Sequence, residues 1–478
     1  MSKKIPRIAV IGGGISGLTC AYRLAELSQD KQFPIELTLL EASSRLGGTI
    51  STIQEEGCLL ELGPDAIFTE KPAALQFGKK LGLENRWIGT NPQCRKSFVA
   101  YENKLYPVPE GFYLMAPSKL LPMLLSPLFS WKGKLRMLLE PFLPSKKNSG
   151  DESLASFVRR RLGAEVLERM AQPMIGGIYS TDPDSLSLEA TFPKFLEWER
   201  IYGSVTKGLI RQLSSHQSRG PRYSLFVSLK EGLEQFIKEI QKKLPNDTVR
   251  LGVEVKEIQP ISPSGKKFKL VYKNGTTEEF DGVSIATPSP IASKILNRLD
   301  PEISQELSKI EYASCLTVNL IYKTEDFKNP IEGFGFVVPV IENKLLTGCT
   351  FSSIKFSDRA PQDKTILRVF IGGKQYSQIS SLDNNAIVER VKKELKEILS
   401  LNSNPIRALL FHHKEALPQY KVGHRKIAEA VNEKIKHWAG LVLCGNGYSG
   451  TGIPDCIESG EKSAEVLFTQ IIKPEYIL

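Results

Sequence analysis

Residues 7–17, which read Arg-Ile-Ala-Val-Ile-Gly-Gly-Gly-Ile-Ser-Gly, set the architecture of this chain. The apolar run up to Ile11 predicts a short buried strand, and the apolar residues after Gly17 predict a helix. Gly12 would form the tight turn after the strand. Gly14 would let backbone N–H groups approach a pyrophosphate, and Gly17 would let the helix pack closely on the strand. The stretch predicts the first half of a dinucleotide-binding βαβ unit.

A second predicted strand, Glu36 to Leu40, ends in Glu41. A carboxylate at this position can accept hydrogen bonds from ribose hydroxyls, while the positive end of the preceding helix faces the phosphates. The acid argues against a 2′-phosphate and therefore against NADP. It does not distinguish NAD from FAD.

Length and composition restrict the class of protein. The chain has 478 residues, enough for two or three domains, and Lys plus Arg exceed Asp plus Glu by 10. No long basic block or basic–aromatic alternation is present, so we expect no nucleic-acid partner; the basic balance suits anionic lipid or a substrate with carboxylates. Seven cysteines without CxxC spacing indicate a reducing compartment and neither a disulfide framework nor a zinc site. The short basic N-terminus predicts no signal peptide.

Residues 107–144 form an apolar segment with ten leucines, broken by prolines. Its longest charge-free run, Leu120 to Trp131, is 12 residues, whereas a membrane-spanning helix needs roughly 20. Two interpretations remain open. The segment is either an apolar wall of a substrate cavity or a surface that rests on a membrane, where Lys132, Lys134 and Arg136 would face anionic lipid.

The rest of the chain predicts a second sheet. Residues 97–106 alternate as a hairpin with a turn at 102–104, and residues 312–322, 334–340, 345–351 and 365–372 form four strand-like stretches before a helix at 386–399. Residues 441–446 predict another buried strand, which runs into a glycine-rich loop at 447–460 that opens a helix at 457–468. Such a loop offers free N–H groups and a positive helix end to a bound group.

The cofactor class is indicated by Arg45-Leu46-Gly47-Gly48-Thr49, which follows Glu41 closely. An Arg near a pyrophosphate supplies a fork of donors, and paired glycines let the main chain pass under a large tricyclic ring. The stretch Glu41 to Thr49 resembles the second fingerprint of the FAD-dependent amine oxidase and porphyrinogen oxidase superfamily. This resemblance implies FAD as the cofactor.

Three further motifs extend the resemblance over nearly the whole chain: Gly445 to Gly460 with its Pro-Asp-Cys-Ile-x-Ser-Gly core, Gly176 to Pro183, and Leu62 to Asp65. Together they resemble the oxygen-dependent porphyrinogen oxidases of haem biosynthesis. The implied fold is α/β, with a Rossmann-like FAD-binding domain, an inserted α+β substrate domain and a helical apolar domain. We expect the FAD-binding domain at 1–90, 221–300 and 431–478, the helical apolar domain at 91–213, and the antiparallel-sheet substrate domain at 301–430.

The resemblance also implies site residues. Those implied for FAD are Gly12, Gly13, Gly14, Ile15, Ser16, Gly17, Glu41, Ala42, Arg45, Gly48, Thr49, Gly63, Pro64, Asp65, Ala66, Val255 (by its backbone, to adenine), Thr451, Gly452 and Ile453. For the substrate, we expect Gly176, Gly177 and Tyr179 to line the slot. We expect Arg95 and Lys96 to bind its propionates in place of an Arg that other family members carry close by. Some members of the family carry an Arg where this chain has Ser97. No side chain is assigned as catalytic, because flavin N5 takes the hydride, and no metal is expected.

The expected function is FAD-dependent oxidation of a porphyrinogen, with dioxygen as the acceptor and hydrogen peroxide as the product. Coproporphyrinogen III and protoporphyrinogen IX both stay open as substrates. Two other classes also stay open: a flavin amine oxidase, and a non-catalytic FAD-bearing carrier of haem precursors. We expect a cytoplasmic protein, with peripheral contact at the inner face of the cell membrane, a hand-off to a ferrochelatase and a homodimer as further hypotheses.

Overall fold

The computed structural model describes residues 5–113, 115–146, 150–216, 225–261 and 267–472. In chain order the strands are β1 (Arg7–Ile11), β2 (Glu36–Glu41), β3 (Thr52–Glu55), β4 (Cys58–Glu61), β5 (Ile67–Phe68), β6 (Trp87–Gly89), β7 (Phe98–Tyr101), β8 (Lys104–Pro107), β9 (Phe112–Tyr113), β10 (Ala116–Pro117), β11 (Phe226–Leu229), β12 (Val249–Leu251), β13 (Val255–Pro260), β14 (Phe268–Tyr272), β15 (Thr277–Phe280), β16 (Gly282–Ile285), β17 (Tyr312–Lys323), β18 (Gly335–Val337), β19 (Gly348–Phe351), β20 (Lys364–Gly372), β21 (Arg407–Pro418) and β22 (Leu441–Leu443).

Helices connect and cover these strands. In chain order they are α1 (Ile15–Asp30), α2 (Ala73–Lys80), α3 (Leu120–Leu125), α4 (Trp131–Leu138), α5 (Leu154–Arg161), α6 (Ala164–Val166), α7 (Gln172–Tyr179), α8 (Leu188–Thr191), α9 (Pro193–Tyr202), α10 (Val205–His216), α11 (Glu234–Lys243), α12 (Ser289–Leu296), α13 (Pro301–Ser308), α14 (Ser352–Lys355), α15 (Lys374–Ile379), α16 (Asn384–Leu399), α17 (His424–Ile435) and α18 (Ile453–Ile472). Within the described ranges, none of them combines the length and the apolar composition that crossing a bilayer requires.

The first sheet is parallel, with strand order β12-β2-β1-β16-β22. Its central strand is fully buried at Ile8, Ala9 and Val10. Ile8 and Val10 share a core with α1 and α18 on one face, whereas Ala9 on the other face shares a core with the antiparallel sheet β13-β14-β15 and with α12. The predicted βαβ unit is therefore confirmed as β1-α1-β2. The five strands come from chain segments 1–90, 221–300 and 431–478; the exact domain limits stay predictions, and the limit near residue 221 lies outside the described residues.

The second sheet has seven strands in the order β21-β17-β20-β19-β18-β7-β8. It contains the four predicted stretches and also the hairpin β7-β8, whose turn residues Glu102 and Asn103 have positive φ. Because β18 pairs with β7 in parallel, this hairpin joins the sheet of segment 301–430. The predicted helical segment 91–213 is thus not helical throughout. β21 escaped prediction since its charged, half-exposed side chains hide the apolar alternation.

Helices α3 to α10 form a separate apolar core around Met123, Phe157 and Met170. One buried ion pair crosses it: the Arg161 guanidinium bonds the Glu140 carboxylate, and neither side chain is exposed. Glu140 also accepts from Ser204 Oγ at 2.6 Å and Val205 N at 3.0 Å. The pair ties the chain after α4 to α5 and to the start of α10.

Candidate cofactor and substrate site

The turn between β1 and α1 has the geometry that its glycines predict. Gly12 has a φ of +108°, and a Cβ there would lie 2.9 Å from the carbonyl oxygen of Ala286. A Cβ on Gly17 would lie 1.9 Å from the carbonyl oxygen of Gly12. No other residue type therefore fits at Gly17 without moving the helix off the strand. At the end of β2, the Glu41 carboxylate accepts from Gly13 N and Ser43 N, each at 2.7 Å.

The N-terminus of α1 is free to receive an anion. Its N-cap residue is Gly14, which makes no side-chain cap hydrogen bond, and the first turn holds no acidic residue. A Cβ on Gly14 would meet nothing within 4 Å, so there is open space in front of the first-turn N–H groups. Such a terminus suits the pyrophosphate of a dinucleotide. Ile15 and Ser16 lie in this turn, and both are buried.

The second fingerprint packs directly on this turn. Gly47 N donates to Gly13 O at 2.8 Å, and Gly48 has a φ of +58°. The Arg45 guanidinium donates to three carbonyls of its own loop, those of Leu46, Gly48 and Ile50. Arg45 thus shapes the loop that carries Ala42, Gly48 and Thr49; its direct contact with a pyrophosphate stays a prediction.

The backbone after β12 runs beside the acid at the end of β2. Val253 N donates to Glu41 O at 2.9 Å, and Gly252 N donates to Ser43 O at 3.0 Å. Val255 follows as the buried first residue of β13. This places the Val255 backbone close to the end of β2; its contact with adenine stays a prediction.

Residues 63–66 lie between the glycine loops and the second sheet. A Cβ on Gly63 would lie 1.7 Å from Thr49 O, so the two loops touch through their backbones, and Pro64 and Ala66 share this loop. Asp65 pairs with Lys355 Nζ at 2.8 Å and with Arg368 at 3.6 Å. Despite its burial, these cations lower the pKa of Asp65 to about 2, and the carboxylate is ionised at any working pH.

The C-terminal glycine loop is held by one tyrosine. The Tyr420 hydroxyl donates to Asn446 O at 2.7 Å and accepts from Gly450 N at 2.7 Å. His424 stacks on the Tyr420 ring at 3.8 Å, and burial lowers its pKa to about 4, so the imidazole is neutral. Gly452 N is held by Asp455 at 3.1 Å. Thr451 and Gly452 stay partly exposed ahead of Ile453, the first residue of α18.

The start of α1 packs against the body of α18. β1 and β22 run in the same direction in one sheet, and each leads into a helix, so α1 and α18 both start at the carboxyl edge. They pack closely at Gly460, where a Cβ would lie 2.4 Å from Ser16 O. This is the edge at which open α/β sheets bind their ligands.

Of the predicted substrate residues, Gly176, Gly177 and Tyr179 lie on the helix beside a cavity, whereas Arg95 and Lys96 lie elsewhere. Gly176 and Gly177 line a cavity of about 290 Å³ between the helical region and the second sheet. Tyr179, about one turn further along α7, forms a hydrogen bond with the side chain of Thr451, and burial raises its pKa to about 12. The centroid of its ring lies 6.4 Å from the centroid of the Tyr420 ring. The helix that borders the cavity therefore reaches the C-terminal glycine loop.

Arg95 and Lys96 do not line this cavity. Both are exposed, and Lys96 pairs with Glu332 at 3.2 Å. The cations among the lining residues are Arg159 and Lys374, which pair with Asp184 and Asp182 at the mouth. The propionate role of Arg95 and Lys96 stays a prediction that the geometry does not support. The described residues of 107–144 are also absent from the lining.

Sequence reasoning missed the side chains that hold the loop at 62–66: Thr317, Lys355, Arg368 and His413. They lie on the second sheet or just beyond it, far along the chain, and no local motif marks them. Among the described residues, no group of three or more His, Cys, Asp or Glu side chains is placed to hold a metal ion.

Comparison with known proteins gives full-length matches. Residues 15–467 match the family described as flavin containing amine oxidoreductase. The chain is 34% identical to a coproporphyrinogen III oxidase of Bacillus subtilis (strain 168), over 98% of this chain and 100% of the relative. It is 32% identical to a coproporphyrinogen III oxidase of Staphylococcus aureus, over 97% and 99% of the two chains.

A solved structure from Exiguobacterium sp. 255-15, described as a candidate protoporphyrinogen oxidase, has the same fold. The TM-score is 0.85 at 28% identity, and the match covers 98% of this chain and 100% of that chain.

Proposed function

The chain belongs to the family of flavin containing amine oxidoreductases, and on that premise we propose that it is an FAD-dependent porphyrinogen oxidase. Coproporphyrinogen III is the first candidate substrate and protoporphyrinogen IX the second. The observation that carries the proposal is end-to-end similarity, at 34% and 32% identity, to two proteins named coproporphyrinogen III oxidase. Haem biosynthesis is the pathway in which such an activity belongs.

The residues present fit FAD. The free α1 N-terminus would bind the pyrophosphate, Glu41 would bind the ribose, and the loops at 47–49, 63–66 and 451–453 would hold the ring system. Bound flavin would supply a hydride acceptor for the substrate and would be reoxidised by dioxygen, with hydrogen peroxide as the product. The α18 N-terminus offers a positive dipole end to negative charge in the site.

The protein has little proton chemistry to perform. A porphyrinogen bridge carbon loses hydride readily because a neighbouring pyrrole nitrogen delocalises the positive charge. Tyr179 keeps its proton at neutral pH, because its pKa is raised to about 12, so it acts as a hydrogen-bonding group and not as a base. The apolar walls at Leu167, Pro173 and Val338 would contact the macrocycle and orient it. Repeated two-electron steps would give the aromatic porphyrin.

The choice between the two substrates depends on their side chains. Coproporphyrinogen carries two propionates where protoporphyrinogen carries two vinyl groups. The net charge of +10 favours the more carboxylated substrate, as do the names of the two relatives.

One assay tests the proposal. The purified yellow protein is incubated with each porphyrinogen and then with a panel of amines, while porphyrin fluorescence and peroxide are followed. We expect both signals with coproporphyrinogen III, and a smaller rate with protoporphyrinogen IX. Peroxide with amines alone would identify an amine oxidase. A flavin-loaded protein without turnover would identify a carrier.

We also propose a cytoplasmic protein that rests on the inner face of the cell membrane. Leu121, Leu125, Trp131 and Phe142 are 66%, 73%, 80% and 82% exposed. They lie on or beside α3 and α4, near Lys132. Of the other two cations predicted to face lipid, Lys134 is buried and Arg136 donates to the carbonyls of Arg160 and Arg161. A clustered apolar face with a basic border suits anionic lipid. A ferrochelatase and a second copy of the chain are further candidate partners; co-sedimentation and size-exclusion chromatography test them.

A further inference from the structure

Side chains of the second sheet hold the backbone at residues 61–63. The contacts are Asn319 Nδ2 to Glu61 O at 3.3 Å, Thr317 Oγ1 to Leu62 O at 2.9 Å, His413 Nε2 to Leu62 O at 2.9 Å, and the Arg368 guanidinium to Gly63 O. The donors come from β17, β20 and β21, which are neighbouring strands. Three consecutive carbonyls are therefore fixed by a rigid surface.

The opposite side of this loop is equally fixed. Gly63 meets Thr49 O so closely that a Cβ would lie 1.7 Å from it. The loop at 62–66 thus fills the gap between the glycine loops and the second sheet. A shift of the Arg368 side chain would be transmitted directly to the backbone that would border a bound flavin.

The same surface carries a buried net charge. Arg368, Arg359 and Lys355 face two carboxylates on the inner side, Asp65 and Glu61, which leaves one positive charge when both acids are ionised. The carboxylates of Asp358 and Glu231 also act on Arg359, but both side chains are exposed, so solvent screens them. Arg368 and Arg359 are each 3% exposed and Glu61 is 6% exposed. Lys355 and Asp65 are partly exposed, at 14% and 19%. Because water is excluded from the two guanidinium groups, their charge is weakly screened and acts over a longer distance than a surface charge.

Arg368 is also incompletely satisfied. Its Nε, and Oδ1 of its cross-strand neighbour Asn319, have no hydrogen-bond partner among the described residues. An unpaired buried polar atom destabilises the fold by about 1–3 kcal/mol. Such a group in a native structure calls for a functional reason, which the mechanism above does not supply.

We infer that Arg368 is a positioning residue that fixes the loop at 62–66, and that the positive cluster around it raises the reduction potential of the bound flavin. The inference rests on the proposed function and assigns part of it to named side chains. Added electrons on the flavin are attracted by the buried charge, so the reduced state is favoured.

The test uses charge changes of opposite sign in the full-length, flavin-loaded protein. Arg368→Met and Lys355→Met each remove a positive charge; Asp65→Asn removes a negative one. At a fixed potential set by a reference dye, we expect the ratio of reduced to oxidised flavin to fall at least tenfold in the first two variants and to rise in the third. Tenfold corresponds to about 30 mV for a two-electron couple.

Arg161→Met is the matched control, because it removes a buried guanidinium from the helical region. Its flavin potential should equal that of the parent. Equal potentials in all variants, or shifts of one sign irrespective of charge, would overturn the inference. If Arg368→Met does not fold, the inference is still tested by Lys355→Met and Asp65→Asn, which change the local charge in opposite directions. The reduction potential is measured without porphyrinogen, so this test does not depend on the substrate. If the parent protein does not oxidise porphyrinogens but the variants shift the potential as expected, only the proposed substrate is rejected. If the parent protein binds no flavin, both proposals are rejected.

Discussion

The cofactor loops and the helical region between 107 and 216 differ in what fixes their backbones. In the loops, glycines bring main-chain atoms into contact: Gly17 meets Gly12, and Gly63 meets Thr49. In the helical region, a buried ion pair between Arg161 and Glu140 joins separate helices, while a large apolar face stays exposed. The first region is specified by short motifs and the second by contacts between distant segments.

The largest effect is expected from Gly17→Ala. The new Cβ would lie 1.9 Å from Gly12 O, so the first turn of α1 must move away from β1. We expect loss of bound flavin together with a stability loss of at least about 4 kcal/mol. Flavin absorbance and urea unfolding measure the two effects.

Gly14→Ala separates the effect on flavin binding from the effect on stability. Its Cβ would meet nothing within 4 Å and its φ is not positive, so the apo-protein should unfold at the parent's urea midpoint. The methyl group would occupy the space in front of the helix end, so flavin affinity should fall. Equal destabilisation by both substitutions would contradict the account of the turn.

In the helical region, Arg161→Met should lower stability by about 3–5 kcal/mol, because it leaves the buried Glu140 carboxylate without its cation. Flavin content and its absorbance spectrum should stay those of the parent. The double variant Arg161→Met with Glu140→Gln should recover part of the loss. A change of flavin spectrum in the single variant would show that the two regions are coupled.

Glu61, the last residue of β4 and the neighbour of the loop at 62–66, should give stability a pH dependence. Burial raises its pKa from 4.5 to about 7, so the folded state holds the proton more tightly than the unfolded state. The free energy of unfolding should therefore fall as pH rises from about 4.5 to about 7, by roughly 3 kcal/mol for this group. Glu61→Gln should remove this component in urea titrations at several pH values; an unchanged pH profile would contradict the burial argument.

The smallest effect on stability is expected at the exposed face. Leu121→Ser combined with Phe142→Ser should change stability by no more than about 0.5 kcal/mol per site, since both side chains are exposed. Sedimentation with vesicles that contain phosphatidylglycerol should fall strongly in this variant. Phosphatidylcholine vesicles are the control, and parent-like sedimentation would reject the membrane proposal.

What could be predicted from the sequence follows the same division between short motifs and contacts of distant segments. Three parts of the fold could be predicted because each depends on residues that are adjacent in the chain. They are the β1-α1-β2 unit, the hairpin at 98–107, and the C-terminal strand, loop and helix. The side chains that contact these motifs from distant parts of the chain could not be predicted. Asp65 meets Lys355 across 290 residues of chain, and Arg368 meets Gly63 across 305. Arg95 and Lys96 lie outside the cavity lining, and their role toward the substrate stays a prediction.

The amino-acid sequence by itself predicted the glycine turns of a dinucleotide-type site, because a glycine's freedom to take a positive φ or a close contact is a property of that residue and its immediate neighbours. The flavin was indicated by the resemblance of the stretch Glu41 to Thr49 to a flavoprotein family. Only the tertiary structure decided which charges lie beneath the loop at 62–66, which cations border the cavity and which leucines face solvent. Burial, pairing and electrostatic strength depend on what folds against a side chain, and that partner is contributed by another part of the chain.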